Sequence, residues 1–434
     1  MKLWEKKDFK QDILIEKFTV GRDSEFDLLL AKYDITASLA HTTMLAKVGL
    51  LSTDELSDIH EGLNEIGKEI DADSFVIETG VEDIHSQIEI RLIQKIGDAG
   101  KKIHSGRSRN DQVAVDIKLY LKDEIHQVKE LCVSFIEVLI KLSERHRQAL
   151  LPGLTHLQIA MPSSFGLWFA AYAEGLSEDM ELLYAAYTLA DKNPLGSGAG
   201  YGSSFPLDRS ETTRLLGFSS MHYNVVNAQM SRGKTEKFMA VGLAAIAATT
   251  ARLAMDVCLF MTQSLGFVSF PDNLTTGSSI MPHKKNPDIF ELVRAKCNSL
   301  QSVPNELSLL MTNLPSGYHR DLQLTKEILF PAIEKLKECL AMMLYALPQI
   351  NVREGILQEQ CYKYVFTVEA VSHLVEDGMA FRDAYRTVGE QVANDQFDYT
   401  GFDINQHTLE GSMGNLCNDK IREKVGKLVS KFSA

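Results

Sequence analysis

The chain has 434 residues, 45% of them hydrophobic, enough to bury a large core and to make about three domains. A formal net charge of -13 excludes nucleic acid or an anionic membrane as a general partner, so an anionic ligand needs locally gathered cations. Six scattered cysteines (Cys132, Cys258, Cys297, Cys339, Cys361 and Cys417) form no Cys-x-x-Cys pair, indicate neither structural zinc nor a disulfide framework, and fit a reducing cytoplasm.

In chain order, Met1-Lys-Leu-Trp-Glu-Lys-Lys lacks the apolar core of a signal peptide, which points to the cytosol. Shorter helices fill residues 1–107. From Asn110, an N-cap candidate, apolar residues recur at Val113, Ile117, Leu121, Ile125, Val128, Leu131, Phe135, Val138 and Leu142, the spacing of one helical face. Continued toward Leu151, that helix would be on the order of 60 Å long. Further helical patterns cover 163–190, 225–265, 288–313 with a kink at Pro304, and 321–347 around Pro331. The most apolar stretch, Phe238 to Met261, is interrupted by Gly242, Thr249, Thr250, Arg252 and Asp256, and reads as a helix buried on nearly all sides rather than a membrane span. No alternation of period two competes with these patterns. The predicted fold is all-α: a long central helical bundle (108–350) between smaller N-terminal (1–107) and C-terminal (351–434) helical domains.

Loops between these helices carry the chemistry. His104-Ser-Gly-Arg-Ser-Arg-Asn-Asp-Gln-Val113 sets Arg107 and Arg109 at a helix start, where guanidinium forks and free N–H groups favour carboxylates; taken alone, such a string is more often a capped, solvated helix start. Leu151-Pro-Gly-Leu-Thr-His-Leu-Gln-Ile-Ala-Met-Pro162 presents Thr155 and His156 in a turn-rich stretch. Histidine's pKa near ~6.5 suits proton delivery, although a lone histidine among apolar residues is more often structural. Asn193-Pro-Leu-Gly-Ser-Gly-Ala-Gly-Tyr-Gly202 lacks the spacing of a phosphate-binding loop and reads as a structural connector. Gly277-Ser-Ser-Ile-Met-Pro-His-Lys-Lys-Asn-Pro287 packs hydroxyls, lysines and an amide between prolines that oppose helix formation, as in a loop built for anion binding or reaction. Tyr318, Gln323 and Lys326 are spaced to converge on one polar ligand, and ordinary solvation of a helix start would explain them equally well.

The loop from Gly277 resembles the signature loop of the fumarase/aspartase superfamily, lyases that release fumarate from a substituted succinate. Gly106-Arg-Ser-Arg-Asn-Asp-Gln112 and the Tyr318/Gln323/Lys326 offsets are similar to the argininosuccinate lyase branch. The resemblance spans about residues 80 to 390, including Glu82-Asp-Ile-His85 and Phe381-Arg-Asp-Ala384. It implies Ser278 as base, with Lys284 and Asn286 stabilising an enolate-like carboxylate dianion. It further implies His156 as the acid for the leaving nitrogen, Glu291 as the carboxylate orienting it, and Arg109, Asn110, Thr155, Tyr318, Gln323 and Lys326 as substrate contacts. A serine hydroxyl is a poor base unless neighbouring N–H groups and cations support its alkoxide. The implied reaction is the reversible cleavage of argininosuccinate to arginine and fumarate, with no metal or organic cofactor.

Departures from the family pattern concern the nitrogen end of the substrate. Trp4-Glu-Lys-Lys replaces an early Trp-Gly-Gly-Arg-Phe, Asp23 falls where the family has a substrate-contacting serine, and Ile159 and Met161 stand for an arginine and a glutamine. Adenylosuccinate lyase is the nearest alternative enzyme, and a crystallin-like structural protein the alternative from another class. The family also implies a homotetramer whose active sites are each assembled from three chains, since motifs on such long helices are not expected to meet within one chain.

Overall fold

The structure is a computed structural model that describes residues 12–78 and 80–432; the Trp4 segment lies outside the described residues. The described chain runs α1 (Ile13–Val20), α2 (Asp23–Asp27), α3 (Ala31–Lys47), α4 (Thr53–Asp71), α5 (Ile84–Ile96), α6 (Arg109–Arg145), β1 (Leu150–Thr155), β2 (Gln158–Ser164), α7 (Phe165–Ala190), β3 (Lys192–Asn193), α8 (Arg209–Leu215), β4 (Ser220–Met221), α9 (Val225–Met230), α10 (Lys234–Phe260), β5 (Val268–Ser269), α11 (Asp288–Ser299), α12 (Val303–Leu310), α13 (Thr325–Ala346), β6 (Asn351–Val352), α14 (Thr367–Glu376), α15 (Phe381–Ala393) and α16 (Asn418–Lys431). Helices dominate, as predicted. The strands form three two-stranded pairs: β1 with β2 and β5 with β6 antiparallel, β3 with β4 parallel.

Two compact units share the chain. Among the described residues, the first takes in the chain up to 128 with 182–244 and 300–335, and the second 129–181, 245–299 and the chain from 336 onward. This partition differs from a division by sequence order at 107 and 350, because each long helix contributes residues to both units.

In the first unit, α4 begins with a reciprocal capping box in which Ser52 accepts from the Glu55 N–H and Glu55 accepts from the Ser52 N–H. Its buried face, Ile59, Leu63 and Ile66, packs with Met44 and Leu45 of α3 and Ile88 and Leu92 of α5. Gly62 allows the close approach, since a Cβ there would lie 2.6 Å from Leu92 Cδ1. The same device recurs where Gly242 of α10 meets the backbone of Leu183 in α7.

Four sequence expectations are corrected. The α6 helix starts at Arg109 with Ser108 at its entrance, where Ser108 Oγ accepts from the Asn110 N–H at 3.3 Å, so Asn110 is inside the helix. It stops at Arg145, and the chain enters a β-hairpin whose strands, Leu-Leu-Pro-Gly-Leu-Thr and Gln-Ile-Ala-Met-Pro-Ser-Ser, carry prolines and no polar alternation and so hide from a periodicity search. The pattern at 225–265 divides at Ser231–Gly233: Gly233 has φ 73°, and a Cβ there would overlap Met311 Sδ. Finally, the run Val225–Phe260 is apolar and long enough, by length and composition alone, to cross a membrane, but only 56% of its most apolar window is buried, so it is not enclosed on nearly all sides. Around the expected kink at Pro304, a 3-10 turn, Leu300–Ser302, joins α11 to α12, with Pro304 in the first turn of α12, while Pro331 lies inside a continuous α13.

Candidate active site

In the first unit, the start of α6 is held by its own sequence. Asp111 accepts from the Ser108 N–H at 2.8 Å with one oxygen and from the N–H groups of Gly196 and Gly198, at 2.9 and 2.8 Å, with the other. Gly196 and Gly198 reach these positions at φ 84° and 59°. The glycine-rich connector thus clamps the turn that presents Arg109 and Asn110. Arg109 donates to Glu82 at 2.9 Å, lies 3.0 Å from Asp83, and also bonds Ser86.

Arg109 and Asn110 line one pocket of about 190 Å³ together with Tyr318, Gln323 and Lys326. Gln323 sits in a 3-10 turn, Arg320–Leu324, and donates to the carbonyls of Thr19 and Val20 at 3.1 and 3.2 Å, tying that turn to the end of α1. Lys326 follows at the start of α13. Its ammonium is 2.6 Å from Asp23 and bonds Asp27, both from α2. Burial, then the charge of Asp27, pushes the Asp23 carboxyl up to about 6 in spite of Lys326.

Sequence reasoning missed several residues here. Arg232, in the break between α9 and α10, lines the pocket, with Nε 3.2 Å from Glu236 and one Nη on the Leu322 carbonyl at 3.1 Å. Only the break at Gly233 could have signalled it. In the pocket wall, His85, which the sequence reading quoted only as part of Glu82-Asp-Ile-His85, has Nδ1 3.2 Å from Asp34 and 3.5 Å from Asp116, all three buried. Burial alone would depress His85, but Asp34, Asp116 and Asp83 outweigh it and raise it to about 9. The candidate ligand atoms of Asp34, His85 and Asp116 lie within 4.8 Å of one another, close enough to hold a metal ion. The His85 imidazolium paired with Asp34 already supplies the positive charge that such an ion would bring.

In the second unit, Thr155 and Gln158 pair across a two-residue turn, so His156 and Leu157 form the hairpin tip. Both have left-handed backbones, φ 54° and 60°, a conformation that such turns require and that Asn-Gly usually supplies. Keeping histidine and leucine there costs conformational energy, which is a mark of function. His156 is exposed, and Leu157 beside it is 77% exposed.

The loop from Gly277 is closed at its base by Thr276 and Asn286, whose backbones pair at 2.8 and 3.4 Å. The Asn286 amide donates to Thr276 Oγ1 and the Gly277 carbonyl at 3.3 and 3.4 Å. Within the loop, Ser278 Oγ accepts from the N–H groups of Met281 at 3.2 Å and Ile280 at 3.4 Å. Two N–H dipoles aimed at one hydroxyl oxygen favour its deprotonated form. Lys284 is exposed, Lys285 bonds Asp272, and Glu291, in the first turn of α11, has Arg294 at 3.9 Å.

A family profile described as lyase matches residues 5–301. Argininosuccinate lyase of Phocaeicola vulgatus is 54% identical over 432 residues, covering 100% of this chain and 96% of the relative. That of Thermotoga neapolitana is 41% identical over 395 residues, 91% of this chain and 99% of the relative. Among solved structures, EDDS lyase in complex with formate matches with a TM-score of 0.76 at 18% identity, covering 98% of this chain and 91% of that one. Class II fumarase from Schistosoma mansoni matches with a TM-score of 0.72 at 17% identity, covering 96% and 95%. The two structures share the fold; the two relatives share the sequence along nearly the whole chain.

Proposed function

The chain belongs to the argininosuccinate lyases, and from that premise we propose how its residues divide the reversible elimination of fumarate from argininosuccinate, a reaction of arginine biosynthesis. Ser278 removes the proton from the succinyl carbon next to the carboxylate. The charge that develops on that carboxylate is met by Lys284 and the Asn286 amide, a task suited to an ammonium and an N–H donor. The carbon–nitrogen bond then breaks, the carbon–carbon double bond of fumarate forms, and His156, oriented by Glu291, delivers a proton to the departing guanidino nitrogen of arginine. Thr155, Arg109, Asn110, Tyr318, Gln323 and Lys326 hold the substrate. The scheme calls on no metal or organic cofactor.

The observation that carries this reading is the hydrogen bonding of Ser278 Oγ, which accepts from two backbone N–H groups within its own loop. Two such donors on one hydroxyl oxygen lower the cost of its alkoxide. The proposed working form is a cytoplasmic homotetramer with sites shared between chains. Its supports are apolar side chains left open on the helices, such as Leu292 and Leu309, and the exposure of both the His156 tip and Ile280. The test offers purified protein argininosuccinate and adenylosuccinate and follows fumarate by its ultraviolet absorbance. Release from argininosuccinate alone is expected, and Ser278→Ala should abolish it by orders of magnitude while substrate still binds. Near-normal turnover by that variant would remove Ser278 from the role of base.

A further inference from the structure

Arg109 is held between two helix starts. It opens α6 and reaches to the start of α5, donating to Glu82 at 2.9 Å, lying 3.0 Å from Asp83 and bonding Ser86. Asp83 caps α5 and fixes this group internally, accepting from the Ser86 N–H at 2.8 Å and from the Ser86 hydroxyl at 2.6 Å. The direction of the guanidinium is therefore set by how the start of α5 stands against the start of α6.

One carboxylate joins those two starts. Asp34, on α3 and fully buried, accepts with Oδ1 from Gln112 Nε2 of α6 at 2.8 Å, and the same oxygen lies 3.2 Å from His85 Nδ1 of α5. Gln112 stands about one turn beyond Arg109, and His85 lies between Asp83 and Ser86 in sequence, so the bridge falls within a turn of the residues it aligns. A turn further along α3, Ser38 Oγ accepts from Arg107 Nη1 at 3.1 Å, which ties down the chain just ahead of α6. Burial alone would raise the Asp34 carboxyl, but His85, Arg107 and the Gln112 bond outweigh it and hold it below its ordinary value. Asp116 of α6 also lies 3.5 Å from His85, yet neither of its oxygens has a hydrogen-bond partner among the described residues, and burial pushes its carboxyl well above the ordinary value. A carboxylate withdrawn from water is costly to keep, and an apolar side chain would fill the same space. What Asp34 adds is a directional bond to each of two helices.

We propose that Asp34 is a positioning residue for Arg109: without touching the substrate, it locks the starts of α5 and α6 together and so holds the guanidinium where it meets the substrate. A donor fixed by its supports binds at full strength, whereas one free to swing must first be ordered. The inference rests on the reading of Arg109 as a substrate contact in argininosuccinate cleavage and deepens it.

Calorimetric binding of argininosuccinate to full-length protein carrying Ser278→Ala, which binds without turnover, gives the readout, with Asp34→Ala and Arg109→Gln added singly and together. Asp34→Ala alone should weaken binding by about 10-fold, and by less than about twofold once Arg109→Gln is present, because two residues acting through one contact are not additive. A merely structural role for Asp34 lowers the melting temperature and leaves the two effects independent. Equal weakening by Asp34→Ala with and without Arg109, or binding unchanged by Asp34→Ala, overturns the proposal. Should Asp34→Ala show no cooperative melt, Gln112→Met removes only the bond to α6 and is read in the same two backgrounds, with the same dependence on Arg109 expected and its absence again decisive against the proposal. Failure of the Ser278→Ala protein itself to bind argininosuccinate would instead sink the underlying reading, and this inference with it.

Discussion

Replacing His156 by asparagine separates chemistry from folding, because the structure predicts that stability and activity will move in opposite directions. His156 and Leu157 both occupy the left-handed region, at φ 54° and 60°. That region costs an L-residue roughly 1–2 kcal/mol, and asparagine tolerates it better than most. His156→Asn should therefore leave the hairpin intact and hold or raise the melting temperature, by a gain of up to ~1 kcal/mol. His156 is exposed, so no buried contact is lost to offset this. If His156 delivers the proton to the leaving nitrogen, turnover should nevertheless fall by roughly 10²- to 10⁴-fold, equivalent to ~3–5 kcal/mol on the barrier. The pH–rate profile should also lose one limb. Fumarate absorbance gives the rates and a thermal melt gives the stability. Turnover within about threefold of wild type, with both limbs of the profile retained, would return His156 to a structural role.

Mixing inactive Ser278→Ala with inactive His156→Asn, under conditions that let subunits exchange, should restore part of the activity if sites are shared between chains. A monomer by light scattering, or no recovery after proven exchange, would rule the shared site out. Gly196→Ala should destabilise the protein by about 2 kcal/mol or more, since a Cβ at φ 84° is strained and would also sit 2.8 Å from Arg209 Cγ; an unchanged melt would contradict the clamp on Asp111. His85 has a folded pKa of about 9 against an ordinary value of 6.5, so its charge contributes stability that is fully present below pH 6.5 and is lost as pH rises through 9. Buried Asp116, raised well above its ordinary value, acts in the same direction. Chemical denaturation across that range should show less alkaline loss in His85→Gln than in wild type, and equal slopes would refute the assignment.

Much of this protein was legible in the order of its residues. The apolar repeat from Val113 to Leu142 needs only the pitch of an α-helix to be read, and the strings around Arg109, His156 and Ser278 carry a chemistry that few other arrangements of those residues serve. Local sequence also accounts for why the Asn193–Gly202 connector belongs to structure rather than to nucleotide binding. Tertiary contact decided the rest. That Lys326 lies between two carboxylates depends on bringing α2 beside α13, about three hundred positions away, and no spacing rule reaches so far. The hairpin at Leu150–Ser164 forms because its two strands pair, although neither shows strand periodicity alone, and that pairing turns His156 from a histidine in a loop into one held at a strained tip. Arg232 shows the same limit. Its neighbours in sequence say only that a helix breaks there, whereas its unpaired donor is defined by what the folded chain places around it and what it leaves out.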